Sequence, residues 1–221
     1  MKIKLVIFDL DGTIADTIPD IAAAMRWTIL KYGDFGDLTE LTRRSIGNGS
    51  RKMLERILKG LNVEPVDFED DLRRYLDYYA AHSCIYTKLY PDTLSVFDGL
   101  EERGIKMAVA TMKPRNATMN ILESFGLDKR LIKVVSSDDM EEPKPSPWSL
   151  YACANEIGAL PEECVVVGDS MTDVGCAING GAVSVALMGG YYDQEKMKNS
   201  GAMFSTYELK DVLDIVDSFE G

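Results

Sequence analysis

Near its start the chain carries KIKLVIFDLDGTIADT, residues 2–17, in which an apolar run ends in two acids, Asp9 and Asp11, followed at once by Gly12 and Thr13. In an extended strand residues i and i+2 share a face, so both carboxylates crowd one small volume. Like charges that close repel unless something compensates them, and a divalent cation is the obvious compensating group. Three more chemistry-bearing positions follow apolar runs downstream: Thr111 in VATMKP, Lys144 in EEPKPSP, and the pair Asp169 and Asp173 in VVVGDSMTD. Taken singly each has a plain structural reading: a solvated strand end for the two acids, a strand-end hydroxyl for Thr111, an exposed polyproline segment around Lys144, framed by Pro143, Pro145 and Pro147. All four in this order, each at the end of an apolar run, make a much stronger signal.

Positioning them takes a sheet. Ile3–Phe8, Ile105–Ala110, Ile132–Val135, Cys164–Val167 and Ala182–Leu187 are nearly all apolar, as strands covered on both faces of a parallel sheet are. Helical patterns separate the later ones. Asp92 is expected to cap a helix that ends at Gly104, and Pro114 to open one that ends at Gly126. Residues 1–15 and 85–221 therefore read as an α/β core, a Rossmann-like, doubly wound parallel sheet. Residues 16–84 show no strand pattern; amphipathic segments at Ile18–Tyr32, Leu38–Ser45, Arg51–Leu61 and Val66–His82 predict an inserted four-helix cap domain. Such an insertion sits above the carboxyl ends of the strands, where open α/β sheets bind ligands.

Composition narrows the function. The 221 residues are 46% hydrophobic and carry a formal net charge of −12, an acidic surface that argues against nucleic acid as a partner. Four scattered cysteines without a C-x-x-C pair argue against a zinc site and fit reduced thiols. The N-terminal apolar run is too short for a signal peptide and no stretch reaches the roughly 18 apolar residues of a membrane span. A cytoplasmic protein with no membrane partner is expected. The single histidine, His82, ends a predicted helix, so no histidine-based mechanism is expected.

The order D-L-D-G-T, threonine, lysine, G-D-S-x-x-D resembles the four motifs of the haloacid dehalogenase superfamily of phosphotransferases, and the resemblance spans the whole chain. The helical insertion after the first motif is similar to one cap class of that superfamily. Within it the nearest likeness is to phosphoglycolate phosphatases, carried by IGNGSRKMLERIL at Ile46–Leu58 and VGDSMTDVGCAINGG at Val167–Gly181. That resemblance implies Asp9 as nucleophile forming an aspartyl-phosphate, and Asp11 as the acid that protonates the leaving oxygen and then the base for water. It implies Mg²⁺ held by Asp9, the backbone carbonyl of Asp11 and Asp169, with Asp173 in a supporting position behind them. Thr111 and the amides around Leu10, Asp11 and Met112 would bind phosphoryl oxygens, and Lys144 would neutralise developing charge.

Gly12 would leave room for the phosphoryl group, and Lys113, Gly47, Asn48, Gly49 and Arg51 are expected to bind the substrate, with help from Arg43 or Lys52. The Gly47–Gly49 run fits a plain glycine-rich helix start equally well. One departure is Met112, where phosphoglycolate phosphatases usually carry asparagine. The implied partner is a small phosphorylated metabolite, favoured as 2-phosphoglycolate, acted on by a monomer or homodimer. An inorganic pyrophosphatase, a nucleotidase or a sugar-phosphate phosphatase or mutase shares the same fold, and a non-catalytic phosphate-binding relative is the remaining alternative.

Overall fold

The apolar run that leads to Asp9 is a strand, Leu5–Phe8 (β1), in a computed structural model that describes residues 2–219. In chain order there follow Ala15–Asp16 (β2), Ile18–Ile29 (α1), Thr39–Ser45 (α2), Gly49–Gly60 (α3), Phe68–His82 (α4), Lys88–Leu89 (β3), Thr93–Glu102 (α5), Lys106–Ala110 (β4), Arg115–Ser124 (α6) and Lys133–Val135 (β5). The chain continues with Trp148–Asn155 (α7), Cys164–Gly168 (β6), Met171–Gly180 (α8), Val183–Leu187 (β7), Gln194–Lys198 (α9), Phe204–Thr206 (β8) and Asp211–Asp217 (α10).

Six strands form one parallel sheet in the order β5-β4-β1-β6-β7-β8. The chain builds outward from β1 to β5 on one side, then returns to β6 on the other, so the topological switch lies beside β1. Alternation along the strands feeds two cores. Val6 and Phe8 pack with Phe97 and Leu100 of α5 and Val212 of α10, while Leu5 and Ile7 pack with Leu150 of α7 and Ala177 of α8. The five expected strands are present within one or two residues of their predicted ends. The sixth, β8, was not expected: it has three residues on the sheet edge, and only Thr206 is buried, so no apolar run announces it.

Between β2 and β3 the chain is helical. Helices α1, α3 and α4 bury Ile21, Met25, Leu54, Ile57, Tyr75 and Tyr79 around a shared cluster of their own. Asp67 caps α4 by accepting the Asp70 N–H at 3.0 Å. Two predicted caps differ. Asp92 stands at the start of α5 in a helical conformation without a capping bond, and Thr93 donates instead to the Ile14 carbonyl at 2.8 Å. Pro114 precedes α6 at the cap position rather than opening its first turn.

The two crossings between sheet and helices are tied together. Ala15 and Asp16 pair antiparallel with Leu89 and Lys88. The buried Asp20 carboxylate, in the first turn of α1, accepts the N–H groups of Ile85 (2.9 Å), Tyr86 (3.0 Å) and Thr87 (2.8 Å) and the Thr87 hydroxyl (2.7 Å). Removing this acceptor strands several donors, at about 1–3 kcal/mol for each that stays buried. Asp20→Ala is therefore expected to cost about 3 kcal/mol and to lower the melting temperature by roughly 6–12 °C, read by thermal and urea unfolding.

Candidate active site

Three adjacent strands deliver three side chains to one edge. Asp9, Thr111 and Asp169 are each the first residue past the carboxyl end of β1, β4 and β6. The Asp9 N–H still pairs with the Val167 carbonyl at 2.9 Å and the Thr111 N–H with that of Val135 at 2.8 Å, so the sheet ladder sets both positions. Beyond Asp9 the chain turns sharply: the Leu10 carbonyl accepts from the N–H groups of Ile14 (3.2 Å) and Ala15 (3.1 Å). Gly12 lies in that turn at φ +79°, and a Cβ there would fall 2.2 Å from Asp169 Oδ2. A Cβ on Gly190 would meet the Asp169 carboxylate equally closely, and one on Gly168 would meet that of Asp173. These glycines make room for buried acids, Gly12 and Gly190 for Asp169 and Gly168 for Asp173.

Lys144 reaches in from the segment between β5 and α7. Its Nζ donates to Asp9 Oδ1 (3.0 Å), the Ala110 carbonyl (2.9 Å) and Asp173 Oδ1 (2.5 Å). Burial alone would lower its proton affinity, but the carboxylates of Asp173 and Asp9 outweigh burial and hold the ammonium charged. Burial pushes Asp9 up to about 7, with the neighbouring Asp173 and Asp11 adding to the rise and Lys144 opposing it. Asp169 is pushed well above the usual carboxylate range by burial and by the charges of Asp9 and Asp173.

Carboxylate oxygens of Asp9, Asp169 and Asp173 lie within 4.8 Å of one another. Asp173 has little left to offer an ion: Oδ1 takes Lys144, and Oδ2 takes the Ser170 hydroxyl at 2.5 Å and its N–H at 3.2 Å, in a capping box at the start of α8. Crowded acids with one shared ammonium, offering only oxygen donors, fit a hard divalent cation.

The helices close over this edge. A cavity of about 80 Å³ is lined by Asp9, Asp11, Thr111, Met112, Lys113, Lys144 and Asp169 from the sheet side and by Ile21, Gly47–Ser50, Met53, Tyr75 and Tyr79 from the helical side. Asp11 Oδ1 pairs with Lys113 Nζ at 2.9 Å and accepts from the Thr17 hydroxyl at 2.6 Å. Lys113 in turn donates to the Tyr79 hydroxyl at 2.6 Å. A buried cation thus joins the second acid of the strand end to α4.

The chain has clear relatives. A haloacid dehalogenase-like hydrolase family model matches residues 6–187. A phosphoglycolate phosphatase of Vibrio parahaemolyticus is 32% identical over 97% of this chain and 96% of its own length. One from Rhodospirillum rubrum is 32% identical over 90% of this chain and 85% of its own. Among solved structures, a predicted phosphoglycolate phosphatase from Haemophilus somnus superposes with a TM-score of 0.88 at 27% identity, covering 97% of this chain and 98% of that one. The chain belongs to the haloacid dehalogenase-like hydrolase family.

Within that family's frame, Asp9, Asp11, Thr111, Met112, Lys113, Lys144, Asp169, Gly47, Asn48 and Gly49 all face one cavity. Arg51 does not. It forms a two-pronged pair with Glu69 (2.7 and 2.8 Å) on the outer side of α3, because its helical position turns it away from the sheet. Lys52 pairs with Glu55 on the surface, and Arg43 stacks 5.3 Å from the Tyr191 ring centroid.

Sequence reasoning missed Tyr191, whose only signal is the Gly189–Gly190 pair just past β7. Its N–H donates to Asp169 Oδ2 at 2.5 Å, and its hydroxyl accepts from the Thr17 N–H at 2.6 Å and donates to Asp16 at 2.7 Å. One residue therefore holds an acid of the site and the first amides of α1. Tyr191→Phe is expected to speed hydrogen exchange at Thr17 and Ile18 by about tenfold or more, equivalent to about 1.4 kcal/mol, as followed by amide NMR or mass spectrometry.

Proposed function

We propose that the chain is a Mg²⁺-dependent phosphatase for a small phosphomonoester, with 2-phosphoglycolate as substrate, working through an aspartyl-phosphate on Asp9. The observation that carries this reading is the meeting of Asp9, Asp11, Thr111, Lys144 and Asp169 around one small cavity. The relatives named as phosphoglycolate phosphatases, similar over nearly the whole chain, support the substrate.

On this reading Asp9 attacks phosphorus, the ester P–O bond breaks, and Asp11 gives its proton to the leaving oxygen. Water then attacks phosphorus, Asp11 takes its proton, and the bond to Asp9 breaks to release inorganic phosphate. Lys113 and Thr17 both engage Asp11 Oδ1, which assigns Oδ2 to proton transfer. Lys144 holds the Asp9 oxygen in place and, with the Thr111 hydroxyl and the amides of Leu10, Asp11 and Met112, meets the charge that develops on the phosphoryl oxygens. Asp9, the Asp11 carbonyl and Asp169 would hold Mg²⁺, which when bound supplies charge neutralisation at the phosphoryl group. Asp173 keeps Lys144 oriented. The substrate carboxylate is assigned to Lys113 and the Gly47–Gly49 turn, where Asn48 adopts φ 61°.

A small cavity of about 80 Å³ suits a short substrate. The lining mixes apolar Ile21, Met53 and Met112 with the cation of Lys113, which suits a small anion shut away from water.

Phosphate release should be strongest with 2-phosphoglycolate among a panel that includes pyrophosphate, a hexose phosphate and a nucleoside monophosphate, and chelator should abolish it. Asp9→Asn is expected to lose at least about 10³-fold in kcat with its melting temperature preserved. Mg²⁺ at 100 times its Kd should stabilise the wild-type chain by about 2.7 kcal/mol in thermal melts, and Asp169→Asn should lose that shift. Equal turnover by Asp9→Asn would overturn the mechanism, and a preference for another compound would overturn the substrate alone.

A further inference from the structure

A second cavity, an outer groove of about 540 Å³, lies on the far side of the cavity wall, between α4 and the segment that opens α6. Five residues line both spaces and so form the partition: Gly49, Ser50, Tyr79, Met112 and Pro114. Four of them have no freedom to open it. Gly49 has no side chain and Ser50 a short one, Pro114 is a ring, and the fully buried Tyr79 is pinned through its hydroxyl to Lys113 at 2.6 Å. Met112 is different. It is half-buried and unbranched, and its terminal methyl lies 4.0 Å from where a Cβ on Gly49 would stand. A thioether from the sheet side thus stands opposite bare backbone from the helical side, at the seam between the two.

We propose that Met112 is a specificity-determining residue: its side chain seals the catalytic cavity from the outer groove and so sets the upper length of the substrate. This rests on the phosphatase reading and deepens it. With the partition shut, the space beyond the phosphoryl site ends at Met112 and admits a two-carbon tail. With the thioether removed, that space continues into a groove several times larger, edged by polar Asn116, Ser137 and Asp138, which suits the hydroxyls of a longer sugar chain. Methionine does this through shape and flexibility, since a thioether fills an irregular gap without needing a hydrogen-bond partner.

The test is the ratio of kcat/KM for a hexose 6-phosphate to that for 2-phosphoglycolate, measured on wild type, Met112→Ala and Met112→Leu. Because both substrates are assayed on the same preparation, the ratio is independent of the folded fraction. Met112→Ala should raise the ratio at least tenfold, chiefly through a lower KM for the hexose phosphate, and Met112→Leu, which restores a side chain of similar length, should hold it near the wild-type value. A ratio within threefold of wild type in Met112→Ala overturns the inference, as does an equal shift in both variants or a uniform loss on both substrates. If wild type hydrolyses pyrophosphate or a nucleotide but neither test compound, the substrate reading fails. If it hydrolyses nothing, the phosphatase reading fails and takes this inference with it.

Discussion

The buried ammonium of Lys144 is the contact on which the site depends. It touches Asp9 from the end of β1, the Ala110 carbonyl from the end of β4 and Asp173 from the first turn of α8. A lone ammonium in such a place would be strongly disfavoured, and two lone carboxylates equally so; together each offsets the desolvation of the others. The arrangement fixes more than charge. By drawing the segment after β5 over the sheet edge, Lys144 sets one wall of the cavity, and by occupying one oxygen of Asp9 it orients the carboxylate that the proposed chemistry requires.

The same economy runs through the seam between the sheet and the helices. Polar links cross it. Lys113 spans from Asp11 to Tyr79, Tyr191 spans from Asp169 to the start of α1, and Asp20 gathers the amides of the returning strand. Most apolar packing is held to each side, with Phe8, Phe97 and the valines of the sheet in one cluster and Met25, Leu54 and Tyr75 in another, which Ala117 of α6 joins. Directional contacts suit a seam that must hold side chains at fixed angles, because dispersion alone tolerates sliding and a hydrogen bond does not.

Much of this was legible in the sequence, and for a physical reason. Apolar runs that end in Asp9, Thr111 and Asp169 mark buried parallel strands, and the residue after such a strand falls at the ligand-binding edge by topology alone. The helical segment was legible because Met53, Leu54, Ile57 and Leu58 repeat on one helical face. What escaped depends on contacts distant in sequence. Tyr191 meets Thr17 across 174 positions, and no local pattern encodes that. Arg51 was misplaced because helix phase decides which way it faces, and its preference for Glu69 is a tertiary choice. Tyr75 and Tyr79 are fully buried, and it is a contact distant in sequence, Tyr79 with Lys113, that ties the wall to the strand end. The edge strand β8 lacks the apolar run that buried strands carry, since one side of it has no neighbour to satisfy.

Charge gives the last constraint. Four carboxylates, Asp9, Asp11, Asp169 and Asp173, face two ammoniums, Lys113 and Lys144, in and beneath one cavity. Burial first, and then the imbalance, pushes Asp9 and Asp169 upward in proton affinity, and the chain as a whole carries a net charge of −12. An anionic ligand approaching this cavity alone would deepen the imbalance. A divalent cation among the acids removes it, and the two lysines then act as net attractors instead of being spent on their partners. On the proposed reading, affinity for an anion is therefore conditional on the cation, and the acidic surface costs the enzyme nothing: selection by charge is made inside, at a distance of a few ångströms, where screening by salt is weakest.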